Sequence, residues 1–327
     1  MNRRNFITLT AAGFGAPLAS CNKSATKSAD GKPIIRFGHF PNITHVQALV
    51  AHQLSRQGKG WFEEKLGAVV EWSTYNAGPS ATEAIFAEAL DVTYIGPSPV
   101  LNAYAVSKGD EMRVLAGAAN GGNALVVRAD AGINEPGDFR GKKIATPQHG
   151  NTQDVQARAW LAGHGIKIGQ GSDEASISAV ANADQLGLFM QKDLDAVWTA
   201  EPWVTRLELD AGGKLFIDDR ETNVTLLAAR AAWVTEHKDL AKKLVDAHKE
   251  LTAWVKAHPD ETKALVKLEL AALSKTAPKD GVIDRALSRV VVTDVISRES
   301  LDKMVASAKK AGFLKDIPAL DQLLPSL

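Results

Sequence analysis

The sequence predicts an α/β fold with two lobes and a helical C-terminal region. Short apolar runs alternate with stretches of helical periodicity, which is typical of mainly parallel sheets covered by helices. The alternation falls into two blocks, 33–120 and 121–224, and Val224–Ala229 predicts a strand that returns to the first block. From Ala231 onward the periodicity is almost entirely helical. One block inserted into another predicts two crossings between lobes and a cleft that can close on a ligand.

The first block alternates strands and helices from its start. Apolar residues recur at helical spacing between Val46 and Leu54, and Gly58 ends that helix. The short apolar run Val92–Ile95 predicts a buried strand, which Gly96-Pro97 breaks. The predicted strands are 33–37, 68–75, 91–95 and 112–119, and the predicted helices are 44–56, 61–66, 80–90 and 98–107.

The second block repeats this pattern on a smaller scale. The segment from Pro136 to Ala145 predicts a short helix that leads into a strand. Further strands are predicted at 124–127, 177–180, 195–198 and 214–217, and helices at 151–164, 182–191 and 201–211. In the C-terminal region, Leu240 to Val255 marks one amphipathic helix, and others are predicted at 259–272, 279–289 and 297–311. We therefore expect one lobe from 33–120 with 225–327 and a second from 121–224.

The N-terminus carries features of an export signal. Arg3-Arg4-Asn5-Phe6 precedes an apolar run, Leu9–Leu18, that is too short to span a bilayer. Residues 1–20 therefore predict a twin-arginine signal. Leu18-Ala19-Ser20-Cys21 resembles a bacterial lipobox, which predicts lipidation of Cys21; the alternative is a cleaved signal with an incidental cysteine. Residues 21–32 are rich in Ser, Lys and Ala and predict a flexible tether.

Composition and motifs exclude several classes of function. Basic and acidic residues balance at 38 each, which disfavours nucleic acid as a partner. The single cysteine lies in the leader region, so neither a disulfide nor thiol catalysis is expected in the folded part. The motifs of P-loop, dinucleotide-binding, serine-hydrolase and zinc-protease sites are all missing from the sequence. A binding protein without a catalytic residue or cofactor is therefore expected.

Four segments share a layout that suits an anion. They are Asn42-Ile43-Thr44, Gly78-Pro79-Ser80, Gly96-Pro97-Ser98 and Gly150-Asn151-Thr152. In each, a turn rich in small or polar residues follows a strand and opens a helix, where backbone N–H groups and the helix dipole favour negative charge. Ser98, Ser80, Asn151, Thr152 and Thr44 are expected to supply donors, and Gly78, Gly96 and Gly150 to let backbone approach the ligand. The alternative is that these hydroxyl and amide groups only cap their own helices.

Other residues near these turns are weaker candidates. His39 and Asn42 follow the first strand and either reach the cleft or lie in a solvated loop. Gly121 is either a contact beside the hinge or part of a turn. Trp203 either walls an apolar slot for a ligand tail or packs in the core. Glu201 either binds the amine of a zwitterion or lies in the first turn of its own helix.

Histidines offer an alternative of another class. His45 and His52 are seven residues apart on one face of the first helix, with His39 upstream, which leaves a metal-binding protein open. Histidines on an exposed helix face are more often solvated, so no metal site is predicted. An uncharacterised hydrolase is the remaining alternative.

Four passages, taken together, resemble the periplasmic substrate-binding proteins of ABC importers for sulfonates, taurine and nitrate. They are Asn76-Ala77-Gly78-Pro79, Asp91 to Pro99, Asp138 to Ala145 leading to Gly150-Asn151-Thr152, and Asp195 to Trp198 with Glu201-Pro202-Trp203. The resemblance covers nearly the whole chain and is strongest to aliphatic-sulfonate binders. The segment Trp198 to Trp203 departs from the tighter Trp-Asp-Pro-Tyr pattern of those proteins.

This resemblance implies a type II periplasmic binding-protein fold with two hinge crossings. It implies a small anionic or zwitterionic sulfonate as ligand and an ABC transporter permease as partner. A monomer outside the cytoplasm is implied, with membrane contact through the lipid anchor only. Relatives of the same fold bind nitrate, bicarbonate or a precursor of the thiamine pyrimidine, and these ligands remain alternatives.

Overall fold

The structure, a computed structural model, describes residues 27–325 of the 327-residue chain. The predicted export signal, Cys21 and the first part of the predicted tether lie outside these residues. The last part of the tether forms a turn closed by a hydrogen bond from Ser28 N to Lys32 O, 2.9 Å long.

The strands follow chain order through two sheets. They are β1 (Ile34–His39), β2 (Val69–Thr74), β3 (Val92–Ile95), β4 (Met112–Gly121), β5 (Asn123–Val127), β6 (Lys143–Thr146), β7 (Ser176–Ala179), β8 (Ala196–Ala200), β9 (Lys214–Asp219), β10 (Asn223–Arg230) and β11 (Val290–Val292). The first sheet has the order β11-β4-β10-β3-β1-β2, and the second has the order β7-β6-β8-β5-β9.

The helices cover both faces of each sheet. They are α1 (Val46–Arg56), α2 (Trp61–Leu66), α3 (Gly78–Phe86), α4 (Pro97–Val106), α5 (Thr152–Gly163), α6 (Asn182–Met190), α7 (Trp203–Ala211), α8 (Ala231–Glu236), α9 (Lys238–Ala257), α10 (Pro259–Ser274), α11 (Val282–Leu287) and α12 (Arg298–Lys310). Short 3-10 helices lie at Ile43–His45 and Pro136–Phe139. In residues 27–325, none of these helices combines the length and apolar character needed to cross a bilayer.

Each sheet mixes parallel and antiparallel pairs. In the first, β1 pairs in parallel with β2 and β3, whereas the returning strand β10 runs antiparallel to β3 and β4. In the second, β6 pairs in parallel with β7 and β8, and β5 runs antiparallel to β8 and β9. Both sheets are covered on two faces, which explains why their central strands are buried along most of their length and are mainly apolar.

Two crossings connect the sheets, and they lie side by side. The first runs from β4 to β5 through Gly121 and Gly122, whose φ values are 70° and 66°. The second runs from β9 to β10, where Thr222 O accepts a hydrogen bond from Gly121 N at 3.2 Å. A left-handed backbone at both glycines lets the chain leave one sheet and enter the other within two residues.

The elements differ from the predicted ones mainly at their ends. The helix expected from Thr44 begins as the 3-10 turn Ile43–His45 and becomes α1 at Val46. The region expected to be helical after Ala231 also contains the strand β11, which pairs with β4. These three valines lie between the helices predicted at 279–289 and 297–311 and were assigned to no element, and their β-branched side chains suit the sheet edge on which they lie.

Candidate ligand-binding site

A small cavity lies where the two sheets face each other. The centre of a water molecule can occupy about 20 Å³ of it, which is room for a group of about the size of one water. Residues that follow strands of both sheets form its wall. They are Phe40, Asn42, Thr44, His45, Asn76, Ala77, Gly78, Gly96, Pro99, Pro147, Asn151, Thr152, Gln153, Asn182, Ala200 and Val224.

Four α-helices begin at this cavity. Helix α3 begins at Gly78, Gly96 is the N-cap of α4, Asn151 is the N-cap of α5, and α6 begins at Asn182. The first N–H groups of a helix have no partner within it, and its N-terminus carries a partial positive charge. Each N-terminus is worth roughly 0.3–1 kcal/mol to a nearby anion. Two of these helices come from each lobe, so an anion between them touches both.

The amide side chains in the wall leave N–H groups free. Asn42 Oδ1 accepts a hydrogen bond from Trp203 Nε1 at 3.0 Å, so its Nδ2 remains available as a donor. Gln153 Oε1 accepts from Asn151 Nδ2 at 3.0 Å, which leaves Gln153 Nε2 available. Asn182 Oδ1 accepts from Thr199 Oγ1 at 2.9 Å. The acceptor atoms of these three amides are therefore engaged within the protein. Asn42 Nδ2 and Gln153 Nε2 remain as donors for a ligand, whereas Asn182 Nδ2 donates to Asn76 O at 3.4 Å.

His45 also presents a donor. Its Nδ1 accepts the backbone N–H of Phe40 at 3.3 Å, so a neutral imidazole carries its proton on Nε2. Burial lowers the pKa of His45 well below its usual value, with the nearby His39 acting in the same direction, and the ring is therefore neutral near pH 7. The sequence had suggested a solvated histidine here, but the side chain is only 2% exposed.

Charged side chains are missing from the cavity wall within residues 27–325. Among the described lining residues there is no lysine or arginine to neutralise a ligand and no carboxylate to bind an amine. The wall thus offers N–H groups, hydroxyl groups and helix N-termini. Such a site favours an anion that only accepts hydrogen bonds.

The lobes are in contact around the cavity. Asn76 Nδ2 donates to Pro147 O at 3.0 Å, and Gln148 Nε2 donates to Ser80 Oγ at 3.0 Å. Deeper in the cleft, Ser98 Oγ lies 3.4 Å from Gly150 O. These contacts join the first lobe to the second, so the structure shows the cleft closed.

The structure divides the thirteen residues that the sequence singled out for ligand contact. Six line the cavity: Asn42, Thr44, Gly78, Gly96, Asn151 and Thr152. Seven do not: Ser98, Ser80, Gly150, His39, Gly121, Glu201 and Trp203. Ser98, Ser80 and Gly150 lie beside the cavity in contacts between the lobes. Gly121 lies in the first crossing, where an added Cβ would be 2.6 Å from Arg289 O.

Two of the lining glycines are required for close packing. A Cβ on Gly96 would lie 2.3 Å from Thr152 Oγ1, across the cleft. A Cβ on Gly78 would lie 2.2 Å from Pro99 Cγ. Neither distance is compatible with a side chain. Gly96 therefore lets α4 pack against the start of α5, and Gly78 lets α3 pack against α4. This packing role is separate from the predicted role of both glycines in letting the backbone approach a ligand.

The carboxylate of Glu201 is directed away from the cavity. It accepts hydrogen bonds from Thr205 N at 3.0 Å and Thr205 Oγ1 at 2.9 Å, within its own helical segment. Arg289 Nη1 lies 2.7 Å from Glu201 Oε1. Burial raises the pKa of Glu201, while the bonds from Arg289 and Thr205 oppose that shift. These partners occupy the carboxylate, so it is not available to the amine of a zwitterion.

His39 and Trp203 also have partners outside the cavity. His39 is the last residue of β1 and is fully buried, so it is not in a solvated loop. Its Nε2 lies 2.9 Å from His52 Nδ1. Trp203 is partly buried, stacks under Arg206 and anchors Asn42 through Nε1. The expectation that histidines on the first helix are exposed is wrong, because α1 is enclosed by α10 and the sheet.

Sequence reasoning missed four polar residues in the wall. Asn76 was noted only within a passage that resembles the family, not as a ligand contact. Asn182 opens a helix after a strand, which is the layout already recognised elsewhere, so the same signal identifies it. Gln153 lies one residue beyond Thr152, and only the three-dimensional arrangement shows its role. His45 was considered only as a metal ligand. The direction of its ring follows from a hydrogen bond donated by the backbone N–H of Phe40, five residues earlier, which the sequence pattern does not reveal.

Residues 28–271 match the profile of the NMT1-like family. The chain belongs to this family. The NMT1-like chain is 25% identical over 269 residues to a Bacillus subtilis protein named for binding aliphatic sulfonates, covering 79% of this chain and 76% of that relative. It is 28% identical over 233 residues to the taurine-binding periplasmic protein of Escherichia coli, covering 69% and 65% of the two chains.

A solved structure confirms the predicted fold of this NMT1-like protein. The alkanesulfonate-binding protein of Xanthomonas axonopodis pv. citri, bound to MOPS, superposes with a TM-score of 0.67 at 18% identity. The match covers 92% of this chain and 96% of that chain. The two-lobe periplasmic binding-protein architecture is therefore shared along nearly the whole length.

Proposed function

We propose that the protein binds a small organic sulfonate in the interlobe cavity and delivers it to the permease of an ABC importer. The observation that carries this proposal is a cavity formed by four helix N-termini and neutral donors, without a charged side chain among the described lining residues. A sulfonate stays ionised at neutral pH and only accepts hydrogen bonds, so it matches this wall. The names of the sulfonate-binding and taurine-binding relatives support the same ligand class.

Within this class, an alkanesulfonate fits better than taurine. The ammonium group of taurine needs an acceptor, preferably a carboxylate. Glu201 was the candidate for that role, and Arg289 and Thr205 occupy its oxygens. Bicarbonate and hydrogen phosphate also carry a proton that needs an acceptor, so the same argument disfavours them. Nitrate satisfies the donor pattern and is the second ligand that the small cavity favours.

The ligand contacts proposed here come from both lobes. Thr44, His45 and Asn42 would contact the anion from the first lobe, and Thr152 and Gln153 from the second. The two lobes would move as separate bodies about the crossings at Gly121 and Thr222. The first lobe consists of 33–120 with 225–327, and the second of 121–224. Each donor bond to a charged ligand contributes about 1.5–3 kcal/mol when both groups are desolvated.

A calorimetric panel tests this proposal. The purified protein is titrated with methanesulfonate, ethanesulfonate, taurine, nitrate, sulfate and bicarbonate. We expect the alkanesulfonates to bind and to stabilise the fold, by about 2.7 kcal/mol when the ligand is at 100 times its Kd. Taurine should bind more weakly than ethanesulfonate, which resembles it in size. If none of the anions produces heat or a shift in melting temperature, the protein does not bind oxyanions.

We further propose export through the twin-arginine signal in residues 1–20, lipidation at Cys21 and action as a monomer outside the cytoplasm. The sequence pattern supports export and lipidation, and the periplasmic location in the name of the Escherichia coli relative supports the compartment. Changing Cys21 to Ala should release the exported protein from the membrane fraction into the soluble fraction. Changing Ser24 to Ala, in the same segment, should leave it membrane-bound. Release in both variants, or in neither, would contradict lipidation at Cys21.

A further inference from the structure

A second polar cluster lies in the first lobe, behind the cavity wall. His39 ends β1, His52 lies in α1 and Glu269 lies in α10, and all three are buried. One nitrogen or oxygen atom from each residue lies within 4.8 Å of the others. We call these three residues the His-His-Glu cluster. The proposed ligand-binding function uses none of them.

Hydrogen bonding fixes the free atom of His39. Its Nδ1 lies 3.2 Å from Phe40 O, an acceptor, so Nδ1 carries the proton and Nε2 carries a lone pair. Burial lowers the pKa of His39 to about 4, and the ring is neutral near pH 7. That lone pair points to His52 Nδ1, 2.9 Å away.

Two acceptor atoms of the cluster face the same nitrogen of His52. Glu269 Oε1 lies 2.8 Å from the same His52 Nδ1 that faces His39. A neutral His52 supplies at most one proton at that atom, so two acceptors share it. If His52 carries its proton on Nε2 instead, three lone pairs converge without any proton between them. A cation at this point would satisfy all three atoms together.

The surrounding groups match those of protein metal sites. A ligating histidine commonly donates its second N–H to a backbone carbonyl, as His39 does to Phe40. A ligating carboxylate is commonly held by a further hydrogen bond, and Arg56 Nε binds Glu269 Oε2 at 2.8 Å. Arg56 Nη2 also donates to Oε1 at 3.4 Å, so Arg56 orients the carboxylate through both oxygens while Oε1 still lies 2.8 Å from His52 Nδ1.

We propose that His39, His52 and Glu269 bind a divalent transition-metal ion, with Zn²⁺ as the representative ion. Two imidazoles and one carboxylate are a common zinc ligand set, with a water in the fourth position. Bonds of about 2.0–2.2 Å require His52 Nδ1 to move a few tenths of an ångström away from His39 Nε2 and from Glu269 Oε1, which now lie 2.9 Å and 2.8 Å from it. The ion would connect β1, α1 and α10, and would fix the backbone at Phe40, which lines the ligand cavity.

Zinc titration of the untagged protein tests this site. The protein carries Cys21→Ser, so that its single thiol does not contribute, and is first dialysed against EDTA. We expect one Zn²⁺ per chain by calorimetry and elemental analysis, with a rise in melting temperature. His52→Asn and Glu269→Gln should each weaken binding by on the order of 100-fold or more. His164→Asn, which changes an exposed histidine of the second lobe, should bind zinc as the parent protein does.

A spectroscopic measurement on the parent protein is independent of whether the variants fold. X-ray absorption of the zinc-loaded protein should show two imidazole ligands together with oxygen. The proposal is overturned if the parent protein binds no zinc, if its zinc shell lacks two imidazoles, or if both cluster variants bind zinc unchanged. In those cases the His-His-Glu cluster is a hydrogen-bonded structural group whose shared proton takes the place of the ion. The calorimetric panel of anions tests a different site, so its result does not depend on whether the His-His-Glu cluster binds zinc.

Discussion

Arg289 and Glu201 form a buried ion pair between the lobes, with Nη1 and Oε1 2.7 Å apart. Arg289 lies between α11 and β11, whereas Glu201 lies between β8 and α7 of the second sheet. The backbone of Glu201 adds two further bonds at 2.8 Å, from Ile43 N to its carbonyl and from its N–H to Gly122 O. This residue therefore connects the hinge, the second lobe and the 3-10 turn that carries Thr44.

Arg289→Met should destabilise the protein strongly. The change leaves the Glu201 carboxylate buried without its counter-ion, which typically costs about 3–5 kcal/mol. The cost should shrink as the pH falls, because burial already raises the pKa of Glu201 and a protonated carboxyl needs no counter-ion. Urea unfolding measures both effects.

Arg298→Met removes an exposed pair with Asp302 and should cost at most about 1 kcal/mol. Equal losses in the two variants would contradict the role of the buried pair.

Gly122→Ala should cost more than Gly58→Ala. Both glycines have left-handed backbones, with φ of 66° and 72°, so both substitutions introduce strain of about 1–2 kcal/mol. Only at Gly122 would the new Cβ clash, 2.5 Å from Val290 Cγ2 and 3.0 Å from Thr44 Cγ2. This crowding should add about 1–3 kcal/mol and displace Thr44 from the cavity. Unfolding and sulfonate titration of both variants test the difference, and Gly58→Ala should keep its affinity.

Thr152→Val should weaken sulfonate binding by roughly 10-fold or more. The substitution keeps the shape of the side chain and removes one hydroxyl donor at the N-terminus of α5, a loss of about 1.5 kcal/mol or more for a charged ligand. Calorimetry with ethanesulfonate provides the measurement. The matched change Thr235→Val, at an exposed position of α8, should leave the affinity as it was. An unchanged Kd in Thr152→Val would show that this hydroxyl does not contact the ligand.

Gln153→Glu should abolish anion binding with almost no change in side-chain volume. The glutamate places a negative charge in a wall that the helix N-termini have made suitable for anions. At cleft distances and low dielectric, repulsion of several kcal/mol is expected, or at least about 100-fold in Kd. Gln191→Glu, at the exposed end of α6, is the control and should bind normally. Retained binding in Gln153→Glu would place the anion elsewhere.

His248 should make stability depend on pH. Its Nε2 donates to Gly117 O and its Nδ1 accepts from Tyr94 Oη, both at 2.8 Å, so the ring is held neutral. Burial lowers its pKa from 6.5 to about 4, with Lys249 acting in the same direction and Asp294 against it. The unfolded chain therefore binds more protons than the folded one between these values. The stabilisation is complete above pH 6.5 and is lost as the pH falls towards 4.

Urea unfolding over this pH range measures that linkage. Each such histidine contributes a slope of up to about 1.4 kcal/mol per pH unit inside the window. His248→Gln should flatten the profile by that amount relative to the parent protein. His164→Gln, at an exposed histidine, should leave the profile unchanged. A parent profile that is flat between these pH values would show that folding does not lower the pKa of His248.

The sequence predicted the fold class and most of the elements that form the site, because these depend on local physics. Gly96-Pro97 follows the apolar run Val92–Ile95, and this pair ends a strand and begins a helix whatever its tertiary surroundings are. Asn151 is likewise recognisable as a cap, and its Oδ1 does accept from Asp154 N at 2.8 Å. The edge strand β11 escaped prediction since three residues carry too little periodic signal.

Tertiary structure decided the partners of side chains whose surroundings come from distant parts of the chain. Glu201 could be read from sequence as a cleft carboxylate or a helix-start residue, and only the approach of Arg289, 88 residues away, selects its role. His39 and His52 are 13 residues apart, and Glu269 joins them only because α10 packs on α1. Local patterning fixes where helices begin, whereas burial, charge pairing and the choice between donor and acceptor follow from contacts between distant segments.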